Sequence, residues 1–210
     1  MAKNGWAITN VQIRSGNYAA MHTLPAVTTK PQPNANLFTT AASEFSIDAK
    51  GRARSETTLK GDGDLQRGKS YTIRFSNKVS DPYANASVFQ IHKRRAQGDP
   101  TGQQPMKLHV RDGRWVLAIH SNSADGKQFD LGEIASGQYV DWVIKVKLSS
   151  GDDGSVEVTK NGKNVLNYHG PNDFRSDGDP YVKFGLYRPA ASTGEGRQTA
   201  FYDNVSVSGD

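Results

Sequence analysis

The stretch at positions 87–92, Ser-Val-Phe-Gln-Ile-His, decides how the fold is interpreted. Its β-branched and aromatic residues favour a strand, in which successive side chains point to opposite faces. Phe89 and Ile91 are therefore expected in a core, while Gln90 and His92 share the other face. An apolar strand with a polar pair on one side predicts a sheet that has one buried face and one face carrying functional groups.

Two other stretches show the same division of side chains. Within positions 181–188, Lys183 and Tyr187 alternate with apolar residues, and Gly185 leaves room between the cation and the phenol. Within positions 52–59, a second polar set falls on one side of a strand, and its members are Arg52, Arg54, Glu56 and Thr58. Three strands with functional groups on one face predict a polar, concave sheet surface.

The chain as a whole has the composition of an all-β protein with many turns. It has 210 residues, of which 35% are hydrophobic and 22% charged, with 21 Gly and 9 Pro. Short alternating segments recur at close intervals, and no segment has a convincing helical period of hydrophobicity. These features predict an antiparallel β-sandwich of the jelly-roll type with a concave substrate groove, formed by a single domain over residues 1–210.

Several segments support more local predictions. Asp112-Gly113 and Asn161-Gly162 are dipeptides favoured in tight hairpins. Residues 139–148 alternate with their apolar side chains inward, which indicates a strand of the opposite, convex sheet. Nearer the N-terminus, residues 6–13 are expected to form a first strand and residues 15–36 a long loop.

Charge and composition narrow the range of partners. The net charge of +5 and the pI of about 9.3 favour polyanions. The absence of cysteine excludes disulfides and thiolate metal sites. No apolar run approaches the length of a membrane helix, and residues 1–5 lack the apolar segment of a signal peptide. We expect a monomer without nucleic-acid or membrane partners, which is secreted or periplasmic in its mature form.

Three short motifs resemble the signature strands of jelly-roll polysaccharide lyases that cleave uronic-acid polymers. Arg54-Ser55-Glu56, Gln90-Ile91-His92 and residues 181–187 are similar to the Arg-Ser/Thr-Glu, Gln-Ile/Val-His and Tyr-Phe-Lys-x-Gly-x-Tyr strands of alginate lyases, in the same order. The segment Pro105-Met106-Lys107-Leu108 and the ending at residues 201–205 look closer to the branch of glucuronan lyase and heparin lyase I.

This resemblance implies β-elimination within a uronic-acid polymer of the glucuronan or alginate type. It implies that Gln90 and Arg54 neutralise the substrate carboxylate, that His92 acts as base or aids this neutralisation, and that Tyr187 donates a proton to the leaving oxygen. The further residues expected to bind the substrate are Lys183, Arg52, Glu56, Lys93, Arg94 and Arg188. Thr58 stands where alginate lyases have a second Arg, which counts against alginate as the substrate.

Cofactors and metals have little support in the sequence. The chemistry implied requires no organic cofactor. Asp-Gly turns at residues 62–64, 152–154 and 177–179 resemble parts of calcium loops, but ordinary turn chemistry explains them, so no metal site is expected. The remaining histidines lack metal-like spacing and are expected on loops or strand surfaces: His22, His109, His120 and His169.

Two other function classes remain open at this point. A non-catalytic, lectin-like carbohydrate-binding module can use the same sandwich, since fold does not determine function. Such a module needs aromatic platforms but not His92 together with Tyr187. A sandwich glycoside hydrolase needs two carboxylates facing one cleft, and Glu56 is the only acid on the three polar strands.

Overall fold

The structure of the protein is a computed structural model. It describes residues 22–23, 36–40, 53–58, 64–83, 85–93, 104–121, 126–174, 178–189 and 198–209. Every regular element in these residues is a β-strand. In the same part of the chain, no helix has the length and apolarity needed to cross a bilayer.

The described residues form thirteen strands. In chain order they are β1 (His22–Thr23), β2 (Asn36–Thr40), β3 (Ala53–Thr58), β4 (Ser70–Val79), β5 (Ala86–Lys93), β6 (Met106–Arg111), β7 (Arg114–Ile119), β8 (Lys127–Glu133), β9 (Val140–Lys147), β10 (Ser155–Lys160), β11 (Lys163–His169), β12 (Pro180–Arg188) and β13 (Gln198–Gly209).

These strands form two antiparallel sheets. The large sheet has seven strands in the order β1-β2-β13-β4-β9-β10-β11, and the small sheet has six in the order β3-β12-β5-β6-β7-β8. The three polar strands recognised in the sequence, β3, β12 and β5, are consecutive neighbours in the small sheet. This order brings segments that are far apart in sequence onto one continuous surface.

The core lies between the two sheets and is rich in aromatic rings. Phe75 of the large sheet stacks on Phe89 of the small sheet, with ring centroids 5.3 Å apart, and meets Phe184 edge-on at 5.2 Å. Trp142 and Trp115 pack across the same gap at 5.4 Å. Phe89, Ile91, Phe184 and Leu186 are no more than 1% exposed, which agrees with the apolar face expected from their alternation.

The hairpin predictions and the prediction for residues 139–148 are confirmed. Asn161 and Gly162 connect β10 to β11 with φ values of 50° and 77°, the left-handed conformation that this tight turn requires. Asp112 and Gly113 connect β6 to β7 with nearly the same angles. Alternate side chains of β9, beginning with Val140, are buried against the core.

Other segments differ from expectation or cannot be compared. β1, β2 and β8 were not predicted, and β1 lies inside the expected loop of residues 15–36. β8 pairs only with β7 within the described residues, at the edge of the small sheet, and most of its side chains are exposed, so it lacks a clear apolar alternation. The strand expected at residues 6–13 lies outside the described residues.

Two irregularities interrupt the pairing of β5 beside the polar surface. The register of β5 with β12 shifts between Phe184 and Tyr187, and its register with β6 shifts between Ser87 and Phe89. Val88 and Phe89 are both 0% exposed, so two successive side chains of β5 enter the core. In a β-bulge, two residues of one strand oppose a single residue of the neighbouring strand. Here the irregular pairing brings Ser87 opposite Tyr187.

A tyrosine of the large sheet satisfies the backbone at these irregularities. The Tyr202 hydroxyl donates to the carbonyl of Val88 at 2.6 Å and also lies 3.2 Å from the carbonyl of Gly185. Gly185 has a φ of 122°, a region that favours glycine. Buried carbonyls that leave the regular ladder need another donor, and Tyr202 supplies it from across the core.

We predict that Tyr202→Phe destabilises the protein by about 1–3 kcal/mol, because it leaves buried carbonyls without their donor while keeping the ring. Urea unfolding measures this change. Tyr71→Phe is the control, since the Tyr71 hydroxyl accepts from the backbone N–H of Gln66, which is an exposed residue. Equal stability of the two variants would contradict this role for the Tyr202 hydroxyl.

Candidate functional site

The polar face of the small sheet is organised in rows that cross the strands. In one row, Lys183 of β12 lies between Thr58 of β3 and Gln90 of β5. Gln90 is in turn opposite Lys107 of β6, and Lys107 is opposite Ala118 of β7. Paired residues of adjacent strands share a face, so an amide and two ammonium groups lie side by side.

A second row crosses the sheet on the other side of Gly185. Tyr187 of β12 lies between Arg54 of β3 and Ser87 of β5, and Ser87 is opposite His109 of β6. For Arg54 the structure describes the strand position and not the side chain. Together with the first row, this register brings Gln90, Lys183, Tyr187 and the Arg54 position onto one face, as their alternation predicts.

Glu56 is the centre of the polar contacts on this face. Lys183 Nζ donates to Glu56 Oε2 at 2.8 Å, and Gln90 Nε2 donates to Glu56 Oε1. The Glu56 side chain is 2% exposed and that of Lys183 is 10% exposed. The carboxylate therefore joins β3, β12 and β5 through two hydrogen bonds that are shielded from water.

This arrangement changes the roles expected for Glu56 and Lys183. Both were expected to bind the substrate directly, but each is occupied by the other in a buried ion pair. The pair instead holds the Gln90 amide in one orientation, because Gln90 Nε2 uses one N–H on the carboxylate. An amide nitrogen carries two N–H groups, so one remains beyond this contact, and Gln90 as a whole is 3% exposed.

His92 lies on the same strand face as Gln90, two residues further along β5. Its Nδ1 is 2.9 Å from the carbonyl of Lys93, and a carbonyl can only accept, so Nδ1 carries the hydrogen. In the neutral ring, Nε2 then has the lone pair and can take up a proton. The ring also contacts Tyr181, with centroids 5.5 Å apart, which restricts its orientation.

Three basic residues of β6 and of the end of β7 were not predicted as site residues. Lys107 and His109 alternate along β6 on the polar face, and His120 follows β7. Burial, followed by the charges of Lys107, His120 and Arg111, lowers the pKa of His109 to about 3. His109 is thus a neutral imidazole at physiological pH, and its Nδ1 lies 3.3 Å from the Ser87 hydroxyl.

Lys107 and His120 are also partly buried. Burial lowers the pKa of Lys107. Burial, followed by the charge of Lys107, lowers the pKa of His120, whose Nδ1 donates to the carbonyl of Gln104 at 2.9 Å. The alternation of Lys107 and His109 along a strand is a sequence signal that could have placed them on the polar face.

Two further residues expected to bind the substrate, Arg188 and Lys93, are buried. Arg188 is 0% exposed and alternates with Leu186 on the core side of β12. Lys93 is 3% exposed, and its Nζ lies 4.8 Å from the ring centroid of Phe174. Both follow the last polar-face residue of a strand, so alternation turns them away from that face. Arg52 and Arg94 lie outside the described residues.

Within the described residues, no group of three or more His, Asp or Glu side chains is arranged to hold a metal ion. The side chains of the polar face supply an oriented amide donor, a histidine with a basic nitrogen, a phenol and the Lys107 ammonium.

The chain matches the family model described as polysaccharide lyase over residues 4–206. It belongs to the polysaccharide lyase family. Membership in this family implies an acidic polysaccharide as the substrate. Membership confirms the lyase prediction and disfavours the non-catalytic binding module. No curated protein sequence matches the chain.

Solved structures of similar fold include an endo-β-1,4-glucuronan lyase from the fungus Trichoderma reesei, with a TM-score of 0.74 and 17% identity over 97% of this chain and 91% of that one. The family 7 alginate lyase A1-II′ has a TM-score of 0.66 and 18% identity over 92% and 85%. Botulinum neurotoxin type C, which interacts with two ganglioside molecules, reaches 0.59 and 7% over 94% and 43%. These likenesses confirm the jelly-roll sandwich.

We predict that Glu56→Leu destabilises the protein by about 3–5 kcal/mol, because it leaves the Lys183 ammonium buried without its partner. Adding Lys183→Met should recover much of this loss, since the buried charge is then removed. Urea unfolding tests both changes. The single and the double variant should both be less active than the wild type, because Gln90 has lost the carboxylate that orients it. Wild-type stability of Glu56→Leu would show that the ion pair is unimportant.

The low pKa of His109 predicts a dependence of stability on pH. Between about pH 6.5 and 3, the unfolded chain protonates His109 while the folded protein does not, so stability falls as the pH is lowered through this range. His109→Asn removes this contribution and should lose less stability on acidification than the wild type. Urea unfolding at several pH values measures the difference, and identical pH profiles would contradict it.

Proposed function

We propose that the protein cleaves a uronic-acid-containing polysaccharide by β-elimination and leaves an unsaturated uronate at the new non-reducing end. The observation that carries this proposal is the common face of Gln90, His92 and Tyr187 on two adjacent strands. Family membership supplies the reaction class, and these side chains supply the groups that the reaction needs.

The first requirement of the reaction is to acidify the proton on C5 of the uronate. Its loss places negative charge on the C6 carboxylate, so donors preorganised around that carboxylate lower the barrier. Gln90 fits this task because Glu56 already holds its amide in place. Arg54 is proposed as the second donor, since its position on β3 is opposite Tyr187.

The second requirement is to move two protons. We assign the base to His92, whose Nε2 bears the lone pair, and the acid to Tyr187. The base takes the C5 proton, the C5–H electron pair forms the C4–C5 double bond, and the C4–O bond breaks. Tyr187 then gives its proton to the leaving glycosidic oxygen, so charge and atoms balance without an oxidant or a metal.

The polymer is proposed to be of the glucuronan or alginate type and to be cut internally, outside the cell. Similarity to an endo-β-1,4-glucuronan lyase and to an alginate lyase supports this range. Thr58, at the position of a second Arg in the alginate motif, favours glucuronan. A panel of acidic polysaccharides, followed by the ultraviolet absorbance of unsaturated ends, tests the proposal. A hydrolase gives no such absorbance.

Tyr187→Phe should lower turnover by about 10²–10⁴-fold, because the leaving oxygen loses its proton donor while the ring remains. Polymer binding and thermal stability should change little. Tyr83→Phe is the matched control, since Tyr83 is 73% exposed in the loop between β4 and β5. Near-normal production of unsaturated ends by Tyr187→Phe would remove Tyr187 from the mechanism and leave the reaction class to be judged on the polysaccharide panel.

A further inference from the structure

The proposed reaction gives no role to Lys107. It lies on β6, in register between Gln90 of β5 and Ala118 of β7, and its side chain is half-buried. Burial lowers its pKa, which means that the charged ammonium is held in a site that disfavours it. An anion from the protein or from a ligand would stabilise the ammonium in this position.

The described part of the protein supplies no counter-charge. No ion pair or hydrogen bond joins the Lys107 ammonium to another described residue, whereas other lysines have carboxylate partners. The lysine and carboxylate pairs are Lys183 with Glu56, Lys145 with Glu157 and Lys147 with Asp153. The short side chain of Ala118, opposite Lys107, offers no acceptor either.

The groups around Lys107 are basic rather than acidic. His109, His120 and Arg111 bear on one another here, and Arg111 has an exposed ion pair with Asp112 at the far end of the strand. Glu56 does not offset them, because its two oxygens already bond to Lys183 and Gln90. Among the described residues, the β6 side of the polar face therefore offers Lys107 no carboxylate partner.

We propose that Lys107 binds the carboxylate of a second uronate unit, adjacent to the unit whose carboxylate meets Gln90. This inference rests on the proposed function. Adjacent strands are about 4.8 Å apart, a distance comparable to one sugar unit, so a polymer lying across β5 and β6 presents successive units to Gln90 and Lys107. A charge-assisted hydrogen bond in a partly dry site is among the stronger polar contacts.

The test compares Lys107→Gln with Lys163→Gln. Lys163 is exposed at the start of β11 in the large sheet, so this control removes the same charge from a remote position. Lys107→Gln should raise KM for a uronate polymer by about 10–100-fold with little change in kcat, because the contact is made equally in the ground and transition states. Lys163→Gln should leave both constants nearly unchanged.

Binding measurements separate this inference from the reaction itself. Calorimetry with a saturated oligouronate on the Tyr187→Phe background should show the same weakening by Lys107→Gln. A methyl-esterified oligomer, which has lost its carboxylate charge, should not distinguish Lys107→Gln from Lys163→Gln. Thermal unfolding of each variant confirms that a loss of binding is not a loss of fold.

The possible outcomes are distinct. Cleavage with equal KM values for the two lysine variants overturns the Lys107 site and leaves the proposed function standing. Binding that depends on Lys107, without cleavage of any polymer, overturns the proposed function and supports the site. The site is also overturned if Lys107→Gln weakens the binding of charged and esterified oligomers equally. The same holds if the protein binds no oligouronate.

Discussion

The polar face depends on one buried carboxylate, that of Glu56. It accepts hydrogen bonds from Lys183 and Gln90 and so connects three neighbouring strands of the small sheet. A buried ion pair contributes little net stability when its desolvation cost is included, but it is strongly directional. Its consequence here is geometric, because the Gln90 amide is oriented before any ligand arrives.

The core and the polar face are linked through the irregular pairing of β5. Tyr202, from the opposite sheet, bonds to the backbone of Val88 and Gly185. The same irregularity places Ser87 opposite Tyr187 and next to His109. Packing between the sheets therefore helps to set the positions of groups on the outer surface.

The charges on the polar face are unequally distributed across the sheet. On the β12 side, Lys183 is neutralised by Glu56. On the β6 side, Lys107 lacks a carboxylate partner among the described residues, and its field helps to keep His109 neutral. This asymmetry gives an extended anion a preferred place along the face, since low local polarity strengthens each electrostatic contact.

The alternation of polar and apolar residues by itself determined the sandwich, the shared face of Gln90 and His92, and the hairpins at Asn161-Gly162 and Asp112-Gly113, because these follow from local rules of strand and turn geometry. Only the tertiary structure decided which groups meet. It paired Lys183 with Glu56 and placed Lys107 beside Gln90, since contacts between distant strands depend on sheet order and register. The tertiary structure also buried Arg188, because the burial of a charged residue at the end of a strand depends on which residues pack around it.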